Sequence, residues 1–318
     1  MKNFRKLLTT LMLSMLFVLG SASAVFAMTI NQTSQTTNSV TIGIDYGTDK
    51  VVTQTLHLLM RNENYQYVDA VAPVALPVGT TSYTFNNLMP GTKYEAKMEY
   101  TWRGYSKSYT SNRSQYVVTL PGKVTGVNQV KWWYYIHKVD FGWNPQSACQ
   151  FEWVAYQGKK QVAQGNAVTS NSGSFGTKNN KLYTVKVRSY LTLNGQTYYG
   201  DWSDPAYLFT QPMILDRKGV SIDGSGKLHV KWEKIDGVDG YEIYVSTKKD
   251  SGYKKVGKAS KKKNSATIKK FKKKKFAKKK TYYVYVAAKK KANGKKYTSG
   301  VNYTIEYKKG SIRTLYFK

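Results

Sequence analysis

Leu228-His229-Val230-Lys231-Trp232 alternates apolar and polar side chains and stops on a large aromatic. Alternation of period two sends successive side chains to opposite faces, which leaves one face dry and one wet, as in a half-buried strand. The same pattern stands in Val40-Thr41-Ile42-Gly43-Ile44-Asp45-Tyr46 and in Val139-Asp140-Phe141-Gly142-Trp143. Past residue 27 the sequence holds no sustained helical period, while Gly and Asn clusters punctuate it at short intervals. These are the marks of an all-β sandwich or barrel.

The pattern repeats. Strand-rich stretches end near Leu120-Pro121-Gly122, near Thr210-Gln211-Pro212 and near Tyr307, giving units of about 90 residues, the size of one sandwich. Each unit has an early strand closed by Tyr46, Trp143 or Trp232. Each also has a late strand led by tyrosine: Tyr94-Glu95-Ala96-Lys97-Met98, Tyr183-Thr184-Val185-Lys186-Val187 and Tyr282-Tyr283-Val284-Tyr285-Val286.

Leu88-Met89-Pro90-Gly91-Thr92-Lys93-Tyr94 resembles the L-x-P-G-T-x-Y signature of fibronectin type III domains. That resemblance implies a tyrosine corner, in which the hydroxyl ties the E–F connection to nearby backbone. The third unit keeps the frame as Phe276-Ala277-Lys278-Lys279-Lys280-Thr281-Tyr282. Its Trp232, followed by Gly237-Val238-Asp239-Gly240-Tyr241-Glu242-Ile243-Tyr244, resembles the W-x(n)-G-A-x-G-Y-x-I-Y pattern of bacterial type III domains, implying a tryptophan packed under the C strand. The second unit is similar to the family at Pro121-Gly122-Lys123-Val124-Thr125-Gly126 and at Gly200-Asp201-Trp202-Ser203-Asp204-Pro205, and departs from it before Tyr183, where no Leu-x-Pro-Gly stands. The whole resembles tandem type III proteins exported by Gram-positive, clostridia-like bacteria. The expected division is a signal peptide at 1–27, sandwiches at 28–120, 121–211 and 212–307, and a basic tail at 308–318.

Lys2, Arg5 and Lys6 precede an apolar run from Leu7 to Leu19, and Ala22-Ser23-Ala24 and Val25-Phe26-Ala27 both fit a small-x-small cleavage site, the second preferred and a start at Val25 the second choice. This is the layout of a secretory signal peptide and is short for a membrane span. Cleavage is expected after Ala27. A secreted or wall-associated protein follows, with no transmembrane segment in the mature chain. The single cysteine, Cys149, allows no internal disulfide and reads as a small buried residue.

Charge is unevenly spread. Residues 28–211 hold 16 basic and 10 acidic groups, a net of +6, whereas residues 212–318 hold 31 and 8, a net of +23. Lys261, Lys262 and Lys263 form one run; Lys269 and Lys270, then Lys272, Lys273, Lys274 and Lys275, then Lys278, Lys279 and Lys280 form a second. Lys289, Lys290 and Lys291 with Lys295 and Lys296 flank Ala292-Asn293-Gly294. In the family frame these runs fall in the C′–E, E–F and F–G connections, at both poles of the sandwich. A solvated face is the plain reading of such runs. Solubility needs a net charge of only about 2–8 in a small domain, so the excess points to a polyanionic partner. Lysine rather than arginine suits diffuse attraction to phosphate or sulfate over bidentate recognition.

Catalytic constellations are missing from the sequence. His57, His137 and His229 stand one per unit without metal-ligand spacing. No phosphate loop, nucleophile elbow or Cys–His signature is present. Gly224-Ser225-Gly226 reads as a hairpin turn. Trp132, Trp133, Tyr134 and Tyr135 place aromatics on both faces of an extended segment. They either pack between units one and two or form a platform for sugars or a protein partner. The expected protein is a non-enzymatic extracellular adhesin or scaffold, without cofactor, metal or specific nucleic-acid recognition. Its third unit holds an anionic polymer such as wall teichoic acid or a host glycosaminoglycan. The alternatives are a carbohydrate-binding module or an accessory chain of an extracellular enzyme.

Overall fold

The computed structural model describes residues 27–133, 136–146, 149–215 and 219–317. Residues 1–26 of the expected signal peptide, and the expected stacking residues Tyr134 and Tyr135, lie outside them. Every regular element described is a strand.

The first unit comprises β1 (Thr29–Gln35), β2 (Val40–Asp45), β3 (Val51–Arg61), β4 (Tyr67–Asp69), β5 (Val74–Ala75), β6 (Ser82–Phe85), β7 (Lys93–Arg103) and β8 (Ser108–Val118). The second comprises β9 (Asn128–Trp133), β10 (Lys138–Gly142), β11 (Gln150–Gln157), β12 (Lys160–Val168), β13 (Ser172–Gly176), β14 (Leu182–Leu193), β15 (Gln196–Tyr199) and β16 (Ala206–Phe209). The third comprises β17 (Val220–Ile222), β18 (Leu228–Lys231), β19 (Gly240–Ser246), β20 (Lys254–Ser260), β21 (Ser265–Ile268), β22 (Thr281–Ala292), β23 (Lys295–Thr298), β24 (Tyr303–Lys308) and β25 (Ser311–Tyr316).

One plan recurs three times. A small sheet of order β1-β2-β6, β9-β10-β13 or β17-β18-β21 faces a larger one built as β4-β3-β7-β8, β12-β11-β14-β15 or β20-β19-β22-β24-β25. All pairings are antiparallel. The long central strands show why. In β7 the side chains of Tyr94, Ala96, Met98 and Tyr100 are buried; in β14 those of Tyr183, Val185, Val187 and Leu191; in β22 those of Tyr282, Val284, Val286 and Ala288. Each inward row closes over the small sheet, and every large apolar side chain so buried contributes about 1.5–3 kcal/mol.

The tyrosine corners form in all three units. Tyr94 accepts the Met89 N–H at 3.0 Å, Tyr183 the Lys178 N–H at 2.8 Å and Tyr282 the Ala277 N–H at 3.1 Å. The second unit therefore keeps the corner without the Leu-x-Pro-Gly lead-in, because the bond needs only a tyrosine five residues after a backbone donor. Burial raises the hydroxyl pKa of Tyr94 and Tyr183. Tyr282→Phe strands the Ala277 donor and is expected to cost about 1–3 kcal/mol. Calorimetry reads this as a lower third transition, and an unchanged transition would refute the role.

Trp232 packs on Tyr241 of β19 at 5.2 Å, and Trp143 lies between Phe141 and Phe151 at 5.9 and 5.3 Å. Tyr46 differs from both. It is only half-buried, and its hydroxyl bonds the Thr80 carbonyl at 3.0 Å while accepting from Gln54 at 2.7 Å.

Three expectations change. The basic tail assigned to 308–318 is largely a strand: Ser311–Tyr316 pairs with β24 through a tight Lys309-Gly310 turn, and Ile312 packs on the third core. Its alternation was hidden behind its charge. Trp132 does not sit between units one and two; it is buried in the second core, 6.1 Å from Tyr183. Cys149 is half-buried at the seam with the first unit, its Sγ 3.8 Å from the Gly91 carbonyl, and burial pushes its thiol up to about 11.

Candidate functional site

The lysine runs separate into two groups at opposite ends of the third sandwich. Register settles this. Gly240 lies opposite both Ser260 and Lys289, so Lys261–Lys263 and the F–G hairpin share the end that holds Asp239. The E–F connection lies at the other end, where the Phe276 N–H bonds the Gly226 carbonyl of the A–B turn, which joins β17 to β18 at residues 223–227, at 3.0 Å. The seven residues Gly240–Ser246 span about 20 Å at roughly 3.3 Å each.

The E–F end is built from two buried anchors and an exposed cationic shell. Phe271 and Phe276 are both buried and stack on each other at 6.3 Å, and Phe276 meets the Tyr282 ring at 5.1 Å. Between them the chain turns on Lys272 and Lys273, at φ 49° and 67°. The turn is closed by paired Phe271–Lys274 backbone bonds of 2.9 and 3.0 Å. Two consecutive left-handed residues usually call for Asn-Gly, and the F–G hairpin has that solution at Asn293-Gly294. A lysine pair there instead costs on the order of 1–2 kcal/mol per residue. The phenylalanines hold the turn in place, and all nine lysines of residues 269–280 are exposed. None of the nine forms an ion pair among the described residues; Lys272 Nζ lies 5.4 Å over the Phe271 ring.

The F–G end is partly neutralised. Lys289 pairs with Glu242 at 3.0 Å, Lys255 with the same carboxylate at 3.2 Å, and Lys290 with Asp239 at 3.5 Å. Burial opposes ionisation of Glu242, yet hydrogen bonds from Tyr244, Lys289 and Lys255 outweigh it and hold the carboxyl at about 2. This end also abuts the second unit. Tyr297 meets Tyr207 edge-on at 5.2 Å and donates to the Pro205 carbonyl at 3.3 Å, and Lys290 lies 5.5 Å over Tyr207. Lys261, Lys262, Lys263, Lys291, Lys295 and Lys296 are exposed there. The expected polyanion residues thus lie in two groups, one at each end of the sandwich.

Trp133 is partly exposed, but Lys131 Nζ covers its ring at 3.8 Å and its indole N–H donates to Asp140. It borders a groove with Val301, Tyr316 and Phe317 of the third unit rather than the first seam. Sequence reasoning missed a second aromatic place. At the seam of units one and two a groove of about 960 Å³ is lined by Met60, Arg61, Tyr67, Met89, Tyr116 and Leu193. The Tyr67 and Tyr116 hydroxyls lie 3.0 Å apart, and the Arg61 guanidinium sits 5.1 Å from the Tyr67 ring. Tyr67 and Tyr116 lie on β4 and β8, the strands flanking the central pair β3–β7, far apart in sequence, so no local pattern could pair them.

Two of the three histidines are engaged locally. His57 bonds Asp69 at 3.0 Å, and His229 bonds Asp223 at 3.0 Å and Thr267 at 3.1 Å. Among the described residues no group of three or more His, Cys, Asp or Glu side chains could hold a metal ion. Gly224-Ser225-Gly226 forms the A–B turn, closed by bonds between Asp223 and Lys227.

No family model and no curated relative matches the sequence. Among solved structures the chain is similar to the chicken CNTN1 FN1-FN3 domains, at 16% identity and TM-score 0.29 over 87% of this chain and 96% of that one. It is also similar to a two fibronectin type III domain segment from chicken tenascin, at 12% identity and TM-score 0.35 over 57% of this chain and 98% of that one. Strand order, register and the three tyrosine corners carry the conclusion: the chain is a tandem array of three fibronectin type III-like β-sandwiches.

Proposed function

We propose that the protein is an exported, non-enzymatic adhesin or scaffold whose third sandwich holds an anionic polymer through the E–F pole. The observation that carries this reading is the shell of nine exposed lysines around a strained turn, none of them in an ion pair among the described residues. Self-repulsion among so many cations opposes the folded state, and a phosphate or sulfate polymer relieves it. The polymer class is a wall teichoic acid or a sulfated host glycosaminoglycan. The first two sandwiches, with a net charge of only +6, space or present the third.

The test is retention of residues 28–318 on immobilised teichoic acid and on heparin. Replacing Lys272–Lys275 and Lys278–Lys280 with glutamine is expected to lower the eluting salt markedly. Replacing Lys289–Lys291, Lys295 and Lys296 is expected to lower it less, since Glu242 and Asp239 already engage two of these. Unchanged elution of the first variant would leave the lysines as a solvated face.

A second reading, carbohydrate binding, is favoured at the first seam rather than at Trp132. There Tyr67 and Tyr116 are both exposed beside Arg61, which is the aromatic-plus-polar lining that sugar rings use.

A further inference from the structure

The first residue after the expected cleavage site is fully buried. Met28 is 0% exposed and belongs to the first core, whereas Ala27 ahead of it is half-exposed. The backbone nitrogen of Met28 donates to Asp49 Oδ2 at 2.9 Å, and the Tyr100 hydroxyl donates to the same oxygen at 3.1 Å. The Met28 carbonyl accepts from Arg113 Nε at 2.9 Å, and Arg113 leans over the Tyr100 ring at 6.0 Å. Side chain, nitrogen and carbonyl of one residue thus each have a built receptor, drawn from the β2–β3 turn, β7 and β8.

Asp49 is the informative member. It is half-buried, both donors it receives here are neutral, and no ion pair engages it among the described residues. Arg113 is spent on the carbonyls of Met28 and Asn112. Lys50, next in sequence, is exposed, and Asp45, opposite Thr29 on β1, is exposed and accepts the Gly47 N–H. A partly buried carboxylate aimed at a backbone nitrogen gains most when that nitrogen carries a charge.

We infer that Asp49 is the receptor for a free α-ammonium at Met28, so that processing of the Ala27–Met28 bond installs an ion pair that closes the first sandwich. The step is hydrolysis. Water adds across the peptide bond, the C–N bond breaks, Ala27 leaves as a carboxylate, and the amine on Met28 takes up a proton. The ammonium keeps the donor already directed at Asp49 and turns its other hydrogens toward the solvent side vacated by Ala27. The inference rests on the expected cleavage after Ala27, and the experiment separates the two.

An unfolded α-amino group titrates at about 7.7–8.0. The Asp49 carboxylate raises that value in the folded chain. The stabilisation is therefore complete below about pH 7.7 and is lost as pH rises through the folded value. A rise of one unit corresponds to roughly 5–10 °C in the melting temperature of a domain this size.

The chain is prepared to begin at Met28 by release from a cleavable fusion, and compared with the same chain carrying Gly-Ser ahead of Met28. Expected is a base-induced fall of the first thermal transition in the free-amine chain, absent in the extended chain and absent in both Asp49→Asn versions. Because Asp49→Asn also weakens the Tyr100 contact, the α-amino titration is followed directly by NMR of the reductively methylated N-terminus, with the same label on an unfolded control. A raised value in the folded chain supports the inference, and an ordinary one overturns it, as does equal pH dependence with and without the extension. Mass analysis of the exported protein tests cleavage alone: a start other than Met28 removes the biological occasion for the ion pair while leaving the titration result to stand on its own.

Discussion

Trp232→Ala is expected to unfold the third sandwich selectively, at a cost of about 3–5 kcal/mol. The indole is fully buried against Tyr241, and its own segment is clamped by a bridge to Ile214 and by a backbone bond to the Asn264 carbonyl at 2.9 Å. Alanine leaves a void that these fixed neighbours cannot fill. Among the described residues the indole N–H has no partner, so its removal strands no acceptor and the penalty is that of the cavity itself. A domain of this size carries a total stability of about 5–15 kcal/mol, and a net charge of +23 on residues 212–318 pushes it toward the lower end. Calorimetry of residues 28–318 is therefore expected to lose its third transition while retaining the other two. Added salt, by screening the lysines, is expected to restore part of it. A variant whose third transition moves by less than about 1 kcal/mol equivalent would show that the tryptophan is not the centre of this core.

The second large effect is on binding. Counterion release makes affinity for a polyanion fall steeply with salt; for duplex DNA a protein making six to ten phosphate contacts loses about 10³–10⁵ between 50 and 200 mM salt. With nine lysines on the E–F pole, binding of a phosphate or sulfate polymer is expected to lose on the order of 10³ over the same interval. Replacing the seven lysines 272–275 and 278–280 with glutamine is expected to flatten the slope by nearly one unit per lysine in contact, and to weaken binding in steps rather than at one residue. The two poles lie about 20 Å apart, roughly two screening lengths at 0.1 M salt, so E–F and F–G substitutions should act additively. Equilibrium binding by fluorescence across a salt series decides it; affinity indifferent to salt would exclude the electrostatic mode.

The sandwich plan was legible because it depends on local patterns. Alternation in Leu228–Trp232 and in the strands led by Tyr94, Tyr183 and Tyr282 dictates which face is dry, and a strand has only two faces to choose between. The corner in the second unit and the last strand were less visible. The first rests on one backbone donor, Lys178, and the second on an alternation masked by Lys308, Lys309 and Arg313.

The candidate site was legible in composition but not in arrangement. Lysine runs and the charge excess follow from sequence alone, and their loop assignments from the family resemblance. Which lysines remain free does not, because pairing depends on carboxylates brought across the sheet: Glu242 and Asp239 reach the F–G hairpin through the β19–β22 register, whereas among the described residues no carboxylate pairs with a lysine of the E–F connection. The same holds for Met28 and Asp49, 21 residues apart and joined at 2.9 Å. Sequence by itself determined the β plan, the repeat and the place of the charge, since these are properties of neighbours along the chain. Only the tertiary structure decided which charges are neutralised, which aromatics are buried and what receives the Met28 nitrogen, because each depends on groups that antiparallel pairing and sheet packing bring together from distant parts of the chain.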